Sequence, residues 1–205
     1  WLLLSADRWV VFHFFGEERA GIFALASNVA GILPNLVSAG LIQLVFPSTF
    51  RQADAARTTD DWRKLARFCD YVTLIFLAIA TVALSLLAVV GPNLIGWLIA
   101  ERYSPSMSLL MPTGMAAITV QANQFYYLLL QGQHNSAGMV RVMAVVAGLK
   151  TLGSVLAALF SWRAFLVWLM ISMLLSPLLG RWMIRCMVFK AKLESSPRPC
   201  VDVAR

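Results

Sequence analysis

Long apolar runs alternate with short polar ones along this chain, and each run has a length suited to a bilayer. A helix crosses the hydrocarbon with about 20 apolar residues. By that measure residues 1–15 read as the later part of one span. Further spans are predicted at residues 21–46, 68–90, 107–130, 137–160 and 164–184. Pro34 falls inside the second span and is expected to kink it, because proline lacks the N–H a helix needs. Gly91-Pro92 is expected to end the third span, and Pro177 lies within the sixth. Between the runs stand a polar turn at Gly16-Glu17-Glu18-Arg19, a polar stretch at 47–67, an interfacial segment at 93–106 carrying Trp97 and Tyr103, a loop at 131–136 and a turn at Ser161-Trp162-Arg163. Thr59-Asp60-Asp61 offers an N-cap for a short amphipathic helix leading into the third span. The predicted fold class is an all-α membrane protein of about six transmembrane helices. Residues 1–185 would form the membrane lobe, and 186–205 a loose, basic tail.

The basic residues sit between the apolar runs, and their distribution predicts an orientation. Cytoplasmic loops are rich in Lys and Arg. With the 47–67 stretch inside, that side holds Arg51, Arg57, Arg63, Lys64, Arg67, Arg141 and six more basic residues from Arg181 onward. The opposite side holds only Arg19, Arg102 and Arg163. The C-terminus is therefore expected in the cytoplasm. Cys69, Cys186 and Cys200 then all fall towards the reducing side.

Composition agrees. The chain is 60% hydrophobic and 13% charged, with a mean hydropathy of +0.74, whereas soluble domains are about half apolar and a quarter charged. The formal charge of +7 is no argument for nucleic acid, since the basic residues form no single face. The tail, with Lys190 and Lys192, suits contact with anionic lipid headgroups. There is no basic leader and no small-residue cleavage site of a signal peptide. The three cysteines and two histidines lack ligand spacing, so no metal site is expected. No Ser/His/Asp set, catalytic carboxylate pair or phosphate loop is visible, and no cofactor is expected.

The candidate chemistry lies in polar residues at membrane depth, which usually face a cavity or the bundle interior. Lys150 sits mid-span, on a face shared with Ala147, Ser154, Ala157 and Ser161. It is either the cationic wall of a polar cavity or one half of a structural ion pair. Arg8 and Asp7 form a second case. Asp7 is a partner for Lys150 or a ligand for a coupling ion, and Arg8 lines the cavity or snorkels to an interface. Asn28, Gly31, Asn35 and Ser38 make a polar stripe on the second span; Gln121 and Gln124, with Gly114 and Ala117, make one on the fourth. Each stripe also suits ordinary interhelical packing. Together they predict one cavity lined by Arg8, Asn28, Asn35, Gln121, Gln124, Lys150 and Ser154.

One part of the pattern resembles a known family. Asp7-Arg8-Trp9-Val10-Val11-Phe12-His13-Phe14-Phe15-Gly16, followed by Ala20-Gly21-Ile22-Phe23-Ala24-Leu25-Ala26, is similar to the helix entry of polysaccharide and O-antigen exporters. Phe46-Pro47 before a polar loop, and the stretch from Gly91-Pro92 to Tyr103, are similar too. The resemblance runs to about Arg185 and fits the second half of such a flippase, a relative of the multidrug and toxin extrusion proteins and the lipid II flippases. Phe23 departs from it by standing where Tyr is common, and a first lobe is missing.

The resemblance implies one lobe of a two-lobe exporter around a central cavity, in the inner membrane. Its cargo would be a polyprenyl-linked oligosaccharide for lipopolysaccharide or other polysaccharide synthesis, and its partners membrane lipids and the missing N-terminal lobe. No bond would be made or broken, so no enzyme is implied. The alternatives are a cation-coupled multidrug exporter of the same fold, a membrane glycosyltransferase or ligase, and a remnant of a truncated gene.

Overall fold

The computed structural model describes residues 2–98 and 101–195, with side chains placed for 6–91, 105–172 and 174–187. Among the described residues six α-helices follow one another: α1 Leu2–Phe15, α2 Glu17–Ala55, α3 Thr59–Leu98, α4 Leu110–Gly132, α5 Ser136–Phe160 and α6 Trp162–Ser195. A 3-10 segment, Glu101–Leu109, precedes α4. The described residues contain no strand.

The breaks are tight and chemically marked. Gly16 alone separates α1 from α2, with φ of +87°, a region that costs glycine little and other residues more. Thr58 and Asp61 cap α3 reciprocally: the Asp61 carboxylate accepts from Thr58 N at 2.8 Å, and Asp61 N donates to Thr58 Oγ1 at 3.2 Å. Asn135 accepts from Gly138 N to open α5. Ser161 ends α5, and its hydroxyl accepts from Ala164 N at the start of α6. Each cap satisfies N–H groups that a helix start leaves without partners.

Successive helices run in opposite directions, as three buried clusters show. At one end Val11, Phe23, Ala158 and Phe165 meet Leu109 and Ala116. Phe76, Leu84, Ile118 and Phe125 fill the middle. At the other end Ala53, Trp62 and Leu65 pack with Tyr126, Leu130, Val142 and Ile184. Arg51, Arg57, Arg63, Lys64, Arg67, Arg141, Arg181 and Arg185 all belong to segments at that last end, so eight of the basic residues expected on one side are gathered there; Arg198 and Arg205 lie outside the described residues.

Among the described residues, four helices are long and apolar enough to cross a membrane: Glu17–Ala55, Thr59–Gly91, Ser136–Phe160 and Trp162–Met187. The chain is accordingly read as a membrane protein. Six spans were expected, and the two others differ for separate reasons. The described part of α1 has 14 residues. α4 has 23 residues, but Gln121, Asn123, Gln124, Tyr126 and Tyr127 lower its hydropathy. Its position explains that composition. α4 packs on α2, α3 and α6 and is the most enclosed helix, so most of its surface meets protein rather than lipid. Conversely, α2, α3, α5 and α6 keep Leu36, Leu44, Leu86, Leu159 and Leu174 exposed, as a lipid-facing shell does.

Several boundaries move. Pro47 does not end α2, which continues to Ala55. Beyond the proline, Thr49 and Ala53 are buried, and a side chain on Gly132 would come within 2.7 Å of Ala53 Cβ. That close packing on α4 holds the last turns despite the lost N–H bond. The short amphipathic helix expected after residue 59 is the start of α3 itself. α3 also passes Gly91-Pro92 and ends at Leu98. α6 extends to Ser195, into the stretch expected to be a loose tail.

Candidate functional site: a polar cavity among α1, α2, α4 and α5

Polar residues from four helices converge on a cavity of about 250 Å³. α1 supplies Asp7 and Arg8; α2 supplies Ser27, Asn28, Gly31 and Asn35; α4 supplies Thr113 and Ala117; α5 supplies Lys150. On α2 the contributors recur at three- and four-residue spacing, which places them on one helical face. Gly31 and Ala117 keep the walls low, leaving room for the longer polar side chains.

The deepest element is an ion pair. Lys150 Nζ stands 2.7 Å from Asp7 Oδ2, and the two side chains are only 5% and 7% exposed. Ser154, one turn after Lys150, donates its hydroxyl to Asp7 Oδ1 at 2.8 Å. Both carboxylate oxygens are therefore engaged. A buried pair survives desolvation when its geometry is close and its remaining lone pairs are bonded, and Ser154 fulfils the second condition. The buried face of α5 carries Val142, Val146, Lys150, Ser154 and Ala158, a strict four-residue ladder that directs Lys150 inward.

Arg8 lies one residue from Asp7 and so points elsewhere, as neighbours on a helix do. Its guanidinium donates to Asn28 Oδ1, and its Nε has no hydrogen-bond partner among the described residues. Farther along α2, a chain of amides closes the wall: Gln121 Nε2 donates to Asn35 Oδ1 at 2.5 Å, and Ser38 Oγ donates to Gln121 Oε1 at 3.0 Å. With Asp7 and Lys150 balancing, Arg8 leaves the cavity with one net positive charge.

Asn28 and Asn35 are exposed on the bundle surface, which bears on what that face meets. Amides and a guanidinium facing hydrocarbon would each cost several kcal/mol, of the order of 2 to 7 for an unpaired polar group. This side of α1 and α2 is therefore suited to water or protein rather than lipid.

No protein-family model, curated protein or solved structure matches this chain. The assignment of chemistry therefore rests on the residues themselves.

Of the residues named from the sequence, Asp7, Arg8, Asn28, Asn35 and Lys150 line the cavity. Gln121 joins through Asn35. Ser154 stands behind the wall, fully buried against Asp7. Gln124, half-buried one turn further along α4, is not among the residues that line the cavity. Gly114 also leaves the stripe, since its open side is filled by Leu84. Of the three cysteines, Cys69 is buried and Cys186 exposed, both as free thiols; Cys200 lies outside the described residues. No metal-binding cluster occurs among the described residues.

The sequence reading missed a second polar cluster, at the basic end. Asp70 of α3 receives Arg181 Nη2 at 2.9 Å and Arg185 Nη2 of α6. Arg181 Nε also stands 2.9 Å from Asp70 Oδ1, near enough for an ion pair but off the hydrogen-bond direction. In the sequence the two arginines count only as orientation charges. Their four-residue spacing was the signal that they share a helical face, but nothing local pointed to Asp70 as their partner.

Proposed function

We propose that this chain is one lobe of a membrane exporter that moves an anionic, polyprenyl-linked oligosaccharide from the cytoplasmic to the outer leaflet of the inner membrane. In this reading all six helices lie in the membrane, with the C-terminus in the cytoplasm. A second lobe covers the polar face of α1 and α2 and completes the cavity. The observation that carries it is Arg8: a guanidinium in a mid-helix cavity, with an unpartnered Nε and amide neighbours. Guanidinium groups bind phosphate through paired, charge-assisted hydrogen bonds, and Asn28, Asn35 and Gln121 suit sugar hydroxyls. Rocking of two lobes about the fixed cavity would give alternating access. The step is transport, not catalysis.

The Asp7–Lys150 pair changes the role first expected of Lys150. Its ammonium is already neutralised by a carboxylate, so attraction of the cargo falls mainly to Arg8. The same pair lends support to the runner-up, a cation-coupled multidrug exporter, because it places a buried carboxylate in the cavity. A coupling cation would have to displace the Lys150 ammonium from Asp7.

Export measured in cells carrying the complete protein separates the two readings. Loss of polymer export by Arg8→Gln at normal membrane abundance supports the flippase. Retained polymer export, with drug resistance lost on Asp7→Asn, supports the multidrug exporter.

A further inference from the structure

A second cavity shares a wall with the first. It lies between α5 and α6, has about 280 Å³, and is lined by Val146, Leu149, Lys150, Trp168, Leu175 and Leu179, together with two serines. The serines add little polarity. Ser172 Oγ donates to Leu169 O at 2.7 Å, and Ser176 Oγ accepts from Asn123 Nδ2 of α4 at 3.0 Å. Trp168 likewise turns its only polar atom away, donating from Nε1 to Lys150 O at 3.2 Å. What remains is hydrocarbon and an indole face. Gly153 allows this arrangement, because a Cβ there would stand 2.0 Å from Trp168 Cζ2; the indole lies directly against the α5 backbone.

The cavity reaches the outer surface of the bundle. Leu149 and Leu175 at its edge are both 50% exposed, on helices apolar enough to face lipid. At its inner side is Lys150, which belongs to both cavities. An apolar slot open to lipid and a polar, net cationic chamber thus meet at one residue. That juxtaposition matches an amphiphile with an anionic head and a hydrocarbon chain.

We propose that the α5–α6 cavity holds the hydrocarbon chain of a lipid whose phosphate-bearing head occupies the polar cavity beside Arg8 and Lys150. This deepens the proposed function and rests on it for the identity of the cargo, though not for the binding itself. The chain comes from lipid as apolar as the slot, so its seating adds packing contacts rather than hydrophobic transfer, and discrimination falls to the charged head.

The test uses the full chain in detergent micelles and two photoreactive probes, each with a diazirine on the same long alkyl chain. One carries a phosphate head, the other a neutral hydroxyl head. The expected result is labelling of α5 and α6 between Val146 and Leu179 by the phosphate probe, and about tenfold less by the neutral one, equivalent to about 1.4 kcal/mol. Leu175→Trp, which fills the slot from the exposed edge, should reduce labelling by the phosphate probe to the neutral level. Circular dichroism of that variant verifies that it remains folded, and Leu174→Trp on the neighbouring exposed position should leave labelling unchanged. Equal labelling by both probes, or labelling untouched by Leu175→Trp, overturns the proposal by reducing the slot to ordinary lipid contact. Failure of the exporter reading looks different: polymer export would be indifferent to Arg8→Gln while discrimination between the probes persisted.

Discussion

Asp7 and Lys150, far apart in the sequence, meet at 2.7 Å in the interior of the helical bundle. Ser154 completes the arrangement by donating to the other carboxylate oxygen. The pair joins α1 to α5 beside the cavity, so a change in either residue affects both assembly and the chamber's charge.

Lys150→Ala is expected to lower the level of folded protein. It strands a buried carboxylate, and removing one partner of a buried pair costs about 3 to 5 kcal/mol. The double variant Asp7→Ala/Lys150→Ala should recover much of that loss. Membrane abundance and thermal unfolding in detergent measure both. A single variant as stable as the parent would show that the pair does not hold α1 to α5.

Arg8→Gln should behave in the opposite way. Arg8 is half-buried and bonded to the exposed Asn28, so abundance should change little. Export by the complete protein should fall about tenfold, the effect of losing roughly 1.4 kcal/mol of charged hydrogen bonding to the cargo. Arg8→Lys should retain part of the activity, because charge survives without the planar fork. Export and abundance must be read on the same cells.

Asp70→Asn should loosen α3 from α6. Two guanidinium groups lose their shared carboxylate, though with their side chains 39% and 35% exposed solvent recovers part of the cost. A loss of about 2 kcal/mol is expected. It would register as a lower melting temperature in detergent, and equal melting of variant and parent would count against the clamp.

Cysteine labelling reads orientation. Cys186 is exposed near the basic end, whereas Cys69 is buried and should stay silent until unfolding. An impermeant maleimide added to intact cells should leave Cys186 and Cys200 unmodified, and label Cys186 once the membrane is opened. Modification from outside would reverse the topology drawn from the basic residues.

Much of the architecture was legible in the sequence because bilayer crossing imposes a length and a composition on each segment separately. The α4–α5 and α5–α6 breaks fall where Gln131 to Ser136 and Ser161 predicted them. The helix ends near Pro47 and Pro92 did not; at Pro47 the proline's local penalty is outweighed by the burial of Thr49 and Ala53 in the turns that follow it. Asn28, Asn35 and Lys150 were recognisable as cavity residues because polar groups at membrane depth are costly anywhere but in a cavity or an interior.

The sequence by itself determined which segments are helical, which residues are out of place in lipid, and that one end of the bundle is basic. These follow from local composition and helical periodicity. Only the tertiary structure decided that Asp7 rather than water neutralises Lys150, that Asp70 takes Arg181 and Arg185, and that Gln121 bonds Asn35 of the chamber wall. Those outcomes depend on the rotation of each helix about its axis and on which helix lies beside it. Neighbour choice is set by the summed packing of whole faces against the central α4, and no local pattern in one helix records the face its neighbour presents.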